Sequence, residues 1–368
     1  MVIKNKKSRV FYTIILYMGL IFCAGITLFI VNHNERFYHR TIGKVVELKE
    51  DQGDLVSEHE RIYHQKLKVR IQNGKWIGEI IGIENQYSTT RAYDFRFRVG
   101  DKLFLSLNST DSNTFSPSIT GVKRDFYFVM TAWVFFIFLI VIGKRRGFFS
   151  ALSLFGNITI LYFALDLYRR GMNLVLLCAL LSILFTVISM GMVLGKSKKA
   201  YAAILTTVIA TFFTMVITYV VMIATKKNGM RFEEMQFITR PIGPIFMSEI
   251  LLGSLGAIMD IAITITSSMF ELHPNNMGNQ ALIDSGKEIG RDIMGSMCNV
   301  LLLAYVSGSI PIILLYIKNG MPVFNAFYTN LSLELVRALT GSIGIVLSIP
   351  ISIYVSIYFL NKKSKEQL

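Results

Sequence analysis

The chain has 368 residues, 52% of them hydrophobic and 17% charged, with a formal net charge of +14. Soluble domains usually carry about 25% charged residues, and here the apolar residues gather in long blocks, which excludes an ordinary soluble protein. The charge does not point to nucleic acid either: Lys and Arg fall largely in short runs beside apolar segments, KNKKSR, KRR, KSKK and KKSK, as the positive-inside rule produces. Part of the excess is also suited to attract anionic lipid.

The first apolar run spans Val10 to Val31 and follows Lys4, Lys6, Lys7 and Arg9. It is longer than a signal-peptide core, and FIVNHNERF offers no small-residue cleavage site. It reads as an uncleaved anchor with a cytoplasmic N-terminus. Residues 32–124 are polar and are expected outside the cytoplasm. QKLKVRIQNGKWIGEIIGIEN alternates, meets Asn73-Gly74 and alternates again, which predicts a tight hairpin. FRFRVGDKLFLSL predicts a second strand–turn–strand. About ninety such residues fit a small β-barrel or sandwich, with an OB-like barrel as one shape.

Apolar segments resume after Lys123-Arg124, at about 126–143, 148–166, 173–194, 200–224, 245–268, 287–316 and 334–360. With the anchor they make about eight transmembrane helices. The fold class expected is a membrane α-helical bundle with a β-rich extracytoplasmic domain between helices 1 and 2. The divisions are 1–31, 32–124, 125–361 and a cytoplasmic tail, 362–368. An even count returns the C-terminus to the cytoplasm of a plasma-membrane protein. Arg169-Arg170 and Lys226, Lys227 and Arg231 run against the charge bias in two outer loops.

The chemistry concentrates on the sixth and seventh segments. Asp260 lies well inside GSLGAIMDIAITITSSMFE, and an acid there costs about 2.5–3.5 kcal/mol on insertion scales. Gly253, Gly256, Asp260, Thr264 and Ser267 share one helical face. The glycines permit close helix approach, and the hydroxyls can bond the acid or an ion. In EIGRDIMGSMCNV, Glu288, Asp292, Ser296 and Asn299 form one stripe, with Arg291 and Gly295 beside it. Arg291 and Asp292 are read as a bundle-facing polar site, and an Asp260–Arg291 pair is geometrically allowed. Glu288 reads as a boundary charge. The connection at 269–286 fits either a plain loop or a re-entrant or amphipathic cover. In the last helix Glu334 and Arg337 stand i, i+3, and Gly341, Gly344 and Ser348 continue their face, which reads as packing. Pro311 and Pro350 are expected to kink the last two helices.

Several sharper motifs fail. GKS at 195–197 has Met190 where a phosphate loop needs glycine, and there is no HExxH. Cys23, Cys178 and Cys298 lie in apolar segments and imply neither disulfides nor a metal. No cofactor is implied, and no serine has a credible histidine partner.

At GAIMDIAITITSSMFEL and SGKEIGRDIMGSMCNVLLLAYVSGSIPIILLY the chain resembles the YibE/F-like family of bacterial membrane proteins, across about 126–360. The polar domain looks like that of the longer, YibE-type members. The resemblance implies a multi-pass bacterial membrane protein, and a partner: a second YibE/F-like subunit of YibF type, or a second copy of the chain. It carries no catalytic or binding residues. The expectation is therefore a transporter or permease, not an enzyme, for a small solute or ion in the lipid bilayer, with Asp260, Thr264, Arg291, Asp292, Ser296 and Asn299 at its polar site. The alternative is a non-transporting assembly or sensor protein whose outer domain binds an envelope partner.

Overall fold

The computed structural model describes residues 18–51, 53, 55–57, 60–89, 91, 94–111, 114–224, 242–272 and 278–365. The chain forms two compact units, Met1–Lys144 and Arg145–Leu368.

The first described element of the first unit is the apolar helix α1 (Met18–Asn32). Six strands follow: β1 (Thr41–Asp51), β2 (Leu55–Ser57), β3 (Glu60–Ile71), β4 (Ile80–Ser88), β5 (Lys102–Asp111) and β6 (Thr114–Val122). All pairings are antiparallel: β1 with β3 and β5, β3 with β2 and β4, and β5 with β6. β4 and β6 also approach each other, so the sheet nearly closes into a barrel. Strand alternation builds its interior. Leu67, Val69 and Ile71 point in, while Lys66, Lys68 and Arg70 point out. Val45, Ile83, Phe97, Leu103 and Leu105 complete the core.

Two local expectations are corrected. The β3–β4 hairpin exists, but residues 72–79 connect it rather than a two-residue Asn-Gly turn. Asn73 is buried and does other work. Its Oδ1 accepts from the Ile42 N–H (2.6 Å), and its Nδ2 donates to the carbonyls of Glu35, Tyr38 and Arg40. One side chain thus ties the incoming chain to β1, which a tight turn would prevent. FRFR, at 95–98, is likewise not a strand; β5 pairs with β6 instead. The Gln65 amide donates to the Phe97 carbonyl and accepts from its N–H, both at 3.1 Å. This side chain supplies the two bonds that a neighbouring strand would have made.

α2 (Asp125–Arg169) has 45 residues, roughly twice what the ~30 Å bilayer core requires. It breaks at Lys144, in the KRR run, where φ is +50°. The second unit holds its latter half with α3 (Leu174–Leu194), α4 (Lys198–Ala224), α5 (Ile242–Leu272), α6 (Asn279–Lys318) and α7 (Val323–Lys365). Among the described residues, six helices, α2 to α7, are long and apolar enough to cross a membrane. The fold is a membrane helical bundle with an N-terminal β domain.

Local signals set the helix ends. Asn173 caps α3 by accepting from the N–H groups of Val175 and Leu176. Gly195 ends α3 at φ +68°, a conformation that favours glycine. Arg169 and Arg170 both pair with Asp166, at 3.0 and 2.8 Å, and the three side chains together keep one positive charge. Lys226, Lys227 and Arg231 lie outside the described residues. So do residues 273–277. In the rest of the 269–286 connection, 269–272 end α5, Gly278 is the extended residue before α6, and 279–286 begin α6. Met269 and Leu282 are buried in the main core.

The bundle packs around α7, which touches α4, α5 and α6. α5 runs parallel to α7: Glu249 lies beside Arg337, and Thr266 beside Ser356. α6 is antiparallel, with Gly286, Gly290 and Leu301 facing Ile353, Ile349 and Gly341. A Cβ on Gly286 would stand 2.8 Å from Ile353, and one on Gly341 2.7 Å from Leu301; one on Gly344 would overlap Thr214 Oγ1. Gly256 and Gly295, expected to pack, have nothing within 4 Å of such a Cβ among the described residues. Both α6 and α7 continue through Pro311 and Pro350.

Two outcomes follow from these contacts. Gly344→Ala is expected to destabilise the chain by about 1–3 kcal/mol through overpacking, whereas Gly256→Ala is silent; thermal unfolding in detergent compares them. The second concerns Glu50. Partial burial pushes its carboxyl up, but hydrogen bonds from Gln65 and Tyr87, both at 2.9 Å, and the Arg96 charge outweigh this and hold it below the ordinary 4.5. A carboxyl lowered by folding contributes stability that is complete above its unfolded value and is lost as pH falls through its folded one. Hydrogen-exchange protection of peptides 41–51 and 60–71, corrected for intrinsic rate, should therefore fall in acid below about pH 4.5 in the wild type and less steeply in Glu50→Gln. Identical pH profiles would refute the assignment.

Candidate functional site

α5 brings Glu249 into the bundle, in the run FMSEILLG. Phe246, Ile250 and Leu251 bury the adjoining faces, with Phe246 and Ile250 in a cluster that includes Met222 and Leu333. α7 brings Glu334 and Arg337 to the same level. The Arg337 residue is only 8% exposed. Its Nη1 donates to Glu334 Oε1 at 2.5 Å, and its Nη2 lies 2.5 Å from Glu249 Oε2. The guanidinium also lies over the Phe246 ring, 5.5 Å from its centroid. Among the described residues its Nε has no hydrogen-bond partner. One cation is thus clasped between carboxylates from two helices. A lone buried guanidinium would be prohibitively costly in a low-dielectric interior, and such a clasp is the usual compensation.

α6 closes the third side. Tyr305 lies against Gly253, where any Cβ would overlap its hydroxyl, and that hydroxyl donates to the Glu249 carbonyl at 3.4 Å. Glu249, Glu334 and Arg337 share the wall of a cavity of about 580 Å³ with Tyr305, Pro311 and Asn330. Two carboxylates face one guanidinium, so the cluster has a formal excess of one negative charge. That excess suits a cation or a proton. Among the described residues no group of three or more His, Cys, Asp or Glu side chains gathers as metal ligands.

The residues expected to form the polar site lie elsewhere. Asp260 and Thr264 on α5, and Arg291, Asp292, Ser296 and Asn299 on α6, are exposed in the isolated chain. Arg291 and Asp292 therefore do not face the interior of this bundle. The reason is the packing face that α6 uses: Gly286 and Gly290 turn toward α7, and the charged stripe is left outside. Thr264 donates to the Asp260 carbonyl and Ser296 to the Ile293 carbonyl, so both hydroxyls are satisfied within their own helices. No ion pair joins Asp260 to Arg291 among the described residues. Glu288 is also exposed.

The i, i+3 reading of Glu334 and Arg337 is met, and Gly341, Gly344 and Ser348 on the same face are buried. Glu249 is absent from the sequence reading. The signal that finds it is the one that found Asp260, a carboxylate inside an apolar run.

The family model described as YibE/F-like protein matches residues 131–362, and the YibE/F family N-terminal domain matches 36–122. The chain belongs to the YibE/F-like family. The two matches divide this YibE/F-like chain into the polar segment and the helical segment seen in its sequence. Neither the curated proteins nor the solved structures contain a match.

Arg337→Ala leaves two carboxylates facing each other without their cation. It is expected to cost about 3–5 kcal/mol, read as thermal unfolding in detergent. Arg337→Lys recovers only part of this, because an ammonium cannot reach both carboxylates with a planar fork. A loss under about 1 kcal/mol for Arg337→Ala would show that the clasp contributes little.

Proposed function

We propose that this YibE/F-like protein is a transporter of the bacterial plasma membrane that moves a small ion or polar solute past the Glu249–Arg337–Glu334 cluster. The observation that carries the reading is the buried arginine, clasped by carboxylates from two helices on the wall of a cavity. Ionisable groups within membrane helices are expensive and mark ion or substrate pathways by default. The surplus carboxylate fits coupling to a cation, whose binding would offset the excess charge.

In this reading the chain crosses the bilayer eight times: α1, each half of α2, and α3 to α7. Both termini are cytoplasmic, and residues 32–124 form an OB-like domain outside. The basic runs at the chain ends, at 144–146 and at 196–199 support this orientation. The exposed face with Asp260, Thr264, Arg291, Asp292, Ser296 and Asn299 belongs to the same pathway. A wet route or a second YibE/F-like subunit would offset the cost of placing those groups at lipid. The sequence contains no phosphate-loop motif, so an ion gradient or a partner's nucleotide hydrolysis supplies the energy. The alternative, a non-transporting assembly or sensor protein, makes the cluster a clamp only.

The test reconstitutes the full chain in proteoliposomes on a solid-supported membrane and applies H⁺ and Na⁺ concentration jumps. The wild type is expected to give a transient current with one of the two cations. Glu249→Gln should reduce it about tenfold or more while keeping its unfolding temperature, and Asp260→Asn should reduce it as well. Currents in Glu249→Gln equal to wild type, or no current above empty vesicles, would count against transport through this site. Loss of current only together with loss of folding favours the clamp.

A further inference from the structure

The first unit holds a second cavity with the opposite chemistry. It has a volume of about 410 Å³, and its wall carries Arg91, Arg96, Arg98, Lys102, Lys123 and Arg124. Three of these cations are neutralised: Arg96 by Glu50 at 3.0 Å, Lys102 by Glu35 at 2.5 Å and Lys123 by Asp125 at 3.4 Å. Among the described residues Arg91, Arg98 and Arg124 form no ion pair. The one carboxylate in the wall, Asp101, accepts the backbone N–H of Arg98 at 2.7 Å. Three cations without an ion pair, facing the single carboxylate of Asp101, leave an excess of positive charge around the cavity, and the arrangement persists at lowest cost when an anion sits among them.

The guanidinium groups are also oriented. Arg124 lies over the Phe95 ring, 5.0 Å from its centroid, and Arg91 and Arg96 lie over Tyr87 at 5.8 and 5.7 Å. A cation over an aromatic face is attracted by the ring and held in place there; the Arg96 Nε and Nη2 groups are given to Glu50, while Arg91 and Arg124 form no ion pair among the described residues. Lys123 is buried at the base, where its Nζ donates to the Val31 carbonyl at 2.9 Å. Guanidinium edges match the oxygens of a phosphate group in paired, parallel hydrogen bonds.

The position of the cavity narrows the ligand further. Asn32, the last residue of α1, and Phe126 and Tyr127, in the first turn of α2, share its wall. Here α1 ends and α2 begins, so apolar helices border the cavity, with aromatic side chains of the kind enriched at membrane interfaces; this makes a lipid headgroup one candidate source of its ligand.

We propose that this cavity is a binding site for a phosphate-bearing anion, with Arg91, Arg98 and Arg124 as its unpaired ligands and the neutralised cations as its frame. The phosphate belongs either to the headgroup of an anionic phospholipid or to a small soluble phosphate. The site is independent of the transport reading, since it lies in the other unit.

The experiment uses the purified full chain in detergent. Native mass spectrometry measures retention of phosphatidylglycerol against phosphatidylcholine, and calorimetry measures binding of inorganic pyrophosphate. The variants are Arg91→Gln/Arg98→Gln/Arg124→Gln, the corresponding triple Lys variant, and a control that removes three charges elsewhere, Lys49→Gln/Lys66→Gln/Lys75→Gln. Wild type and control should bind at least one probe about tenfold more tightly than the triple Gln variant, and the triple Lys variant should retain part of that gain. Selective loss of phosphatidylglycerol assigns the phosphate to lipid, and loss of pyrophosphate assigns it to a soluble ligand. If neither probe separates wild type from the triple Gln variant, or if the control loses as much, the proposal is overturned. Should the triple Gln variant unfold, the three single Gln variants are read instead, and unchanged binding in all three overturns it equally.

Discussion

Helices surrounded by lipid gain nothing from hiding apolar side chains from it, so they associate only where their surfaces come close enough to pack. In the helical unit that closeness is supplied at α7. Gly341 admits Leu301 of α6 and Gly344 admits Thr214 of α4, while Gly286 and Gly290 of α6 receive Ile353 and Ile349. These contacts fix the rotation of α6 and its register along α7. Once α6 presents its glycines to α7, the stripe from Glu288 to Asn299 is directed outward. Once α5 lies along α7 in parallel, Glu249 reaches the height of Arg337.

The charged cluster is then a consequence of packing and also a constraint on it. An arginine placed at a helix crossing requires carboxylates within reach, and only the observed register brings one from each of two helices. The surplus carboxylate, the Tyr305 hydroxyl and the cavity beside them are the features on which the transport proposal rests. Gly253 contributes here too, because any side chain at that position would displace Tyr305.

The β unit meets a different demand, that of backbone groups needing partners in a small, nearly closed sheet. Two amides meet it. Asn73 binds the chain entering β1, and Gln65 substitutes for a strand at Phe97. By freeing the segment at 95–98 from any ladder, Gln65 leaves Arg96 and Arg98 in the wall of the basic cavity. The two units thus carry cavities of opposite charge, one with carboxylates in excess and one with guanidinium groups in excess.

Much of this architecture is legible in the chain itself. Apolar run lengths determine that membrane helices exist and nearly where they lie, because crossing a bilayer demands about 20 apolar residues whatever their neighbours. Alternation determines β3, β4 and β5, and the i, i+3 spacing determines the Glu334–Arg337 pair. These are local properties. The partnership of Glu249 with Arg337, the outward face of Arg291 and Asp292, and the work of Asn73 and Gln65 are not. The residue paired with Arg337 is 88 positions away, and the face a helix buries depends on which of its glycines meets a side chain on another helix. Sequence periodicity names a helix face but not its neighbour; that choice is made by fit between distant surfaces, and only the tertiary structure decides it.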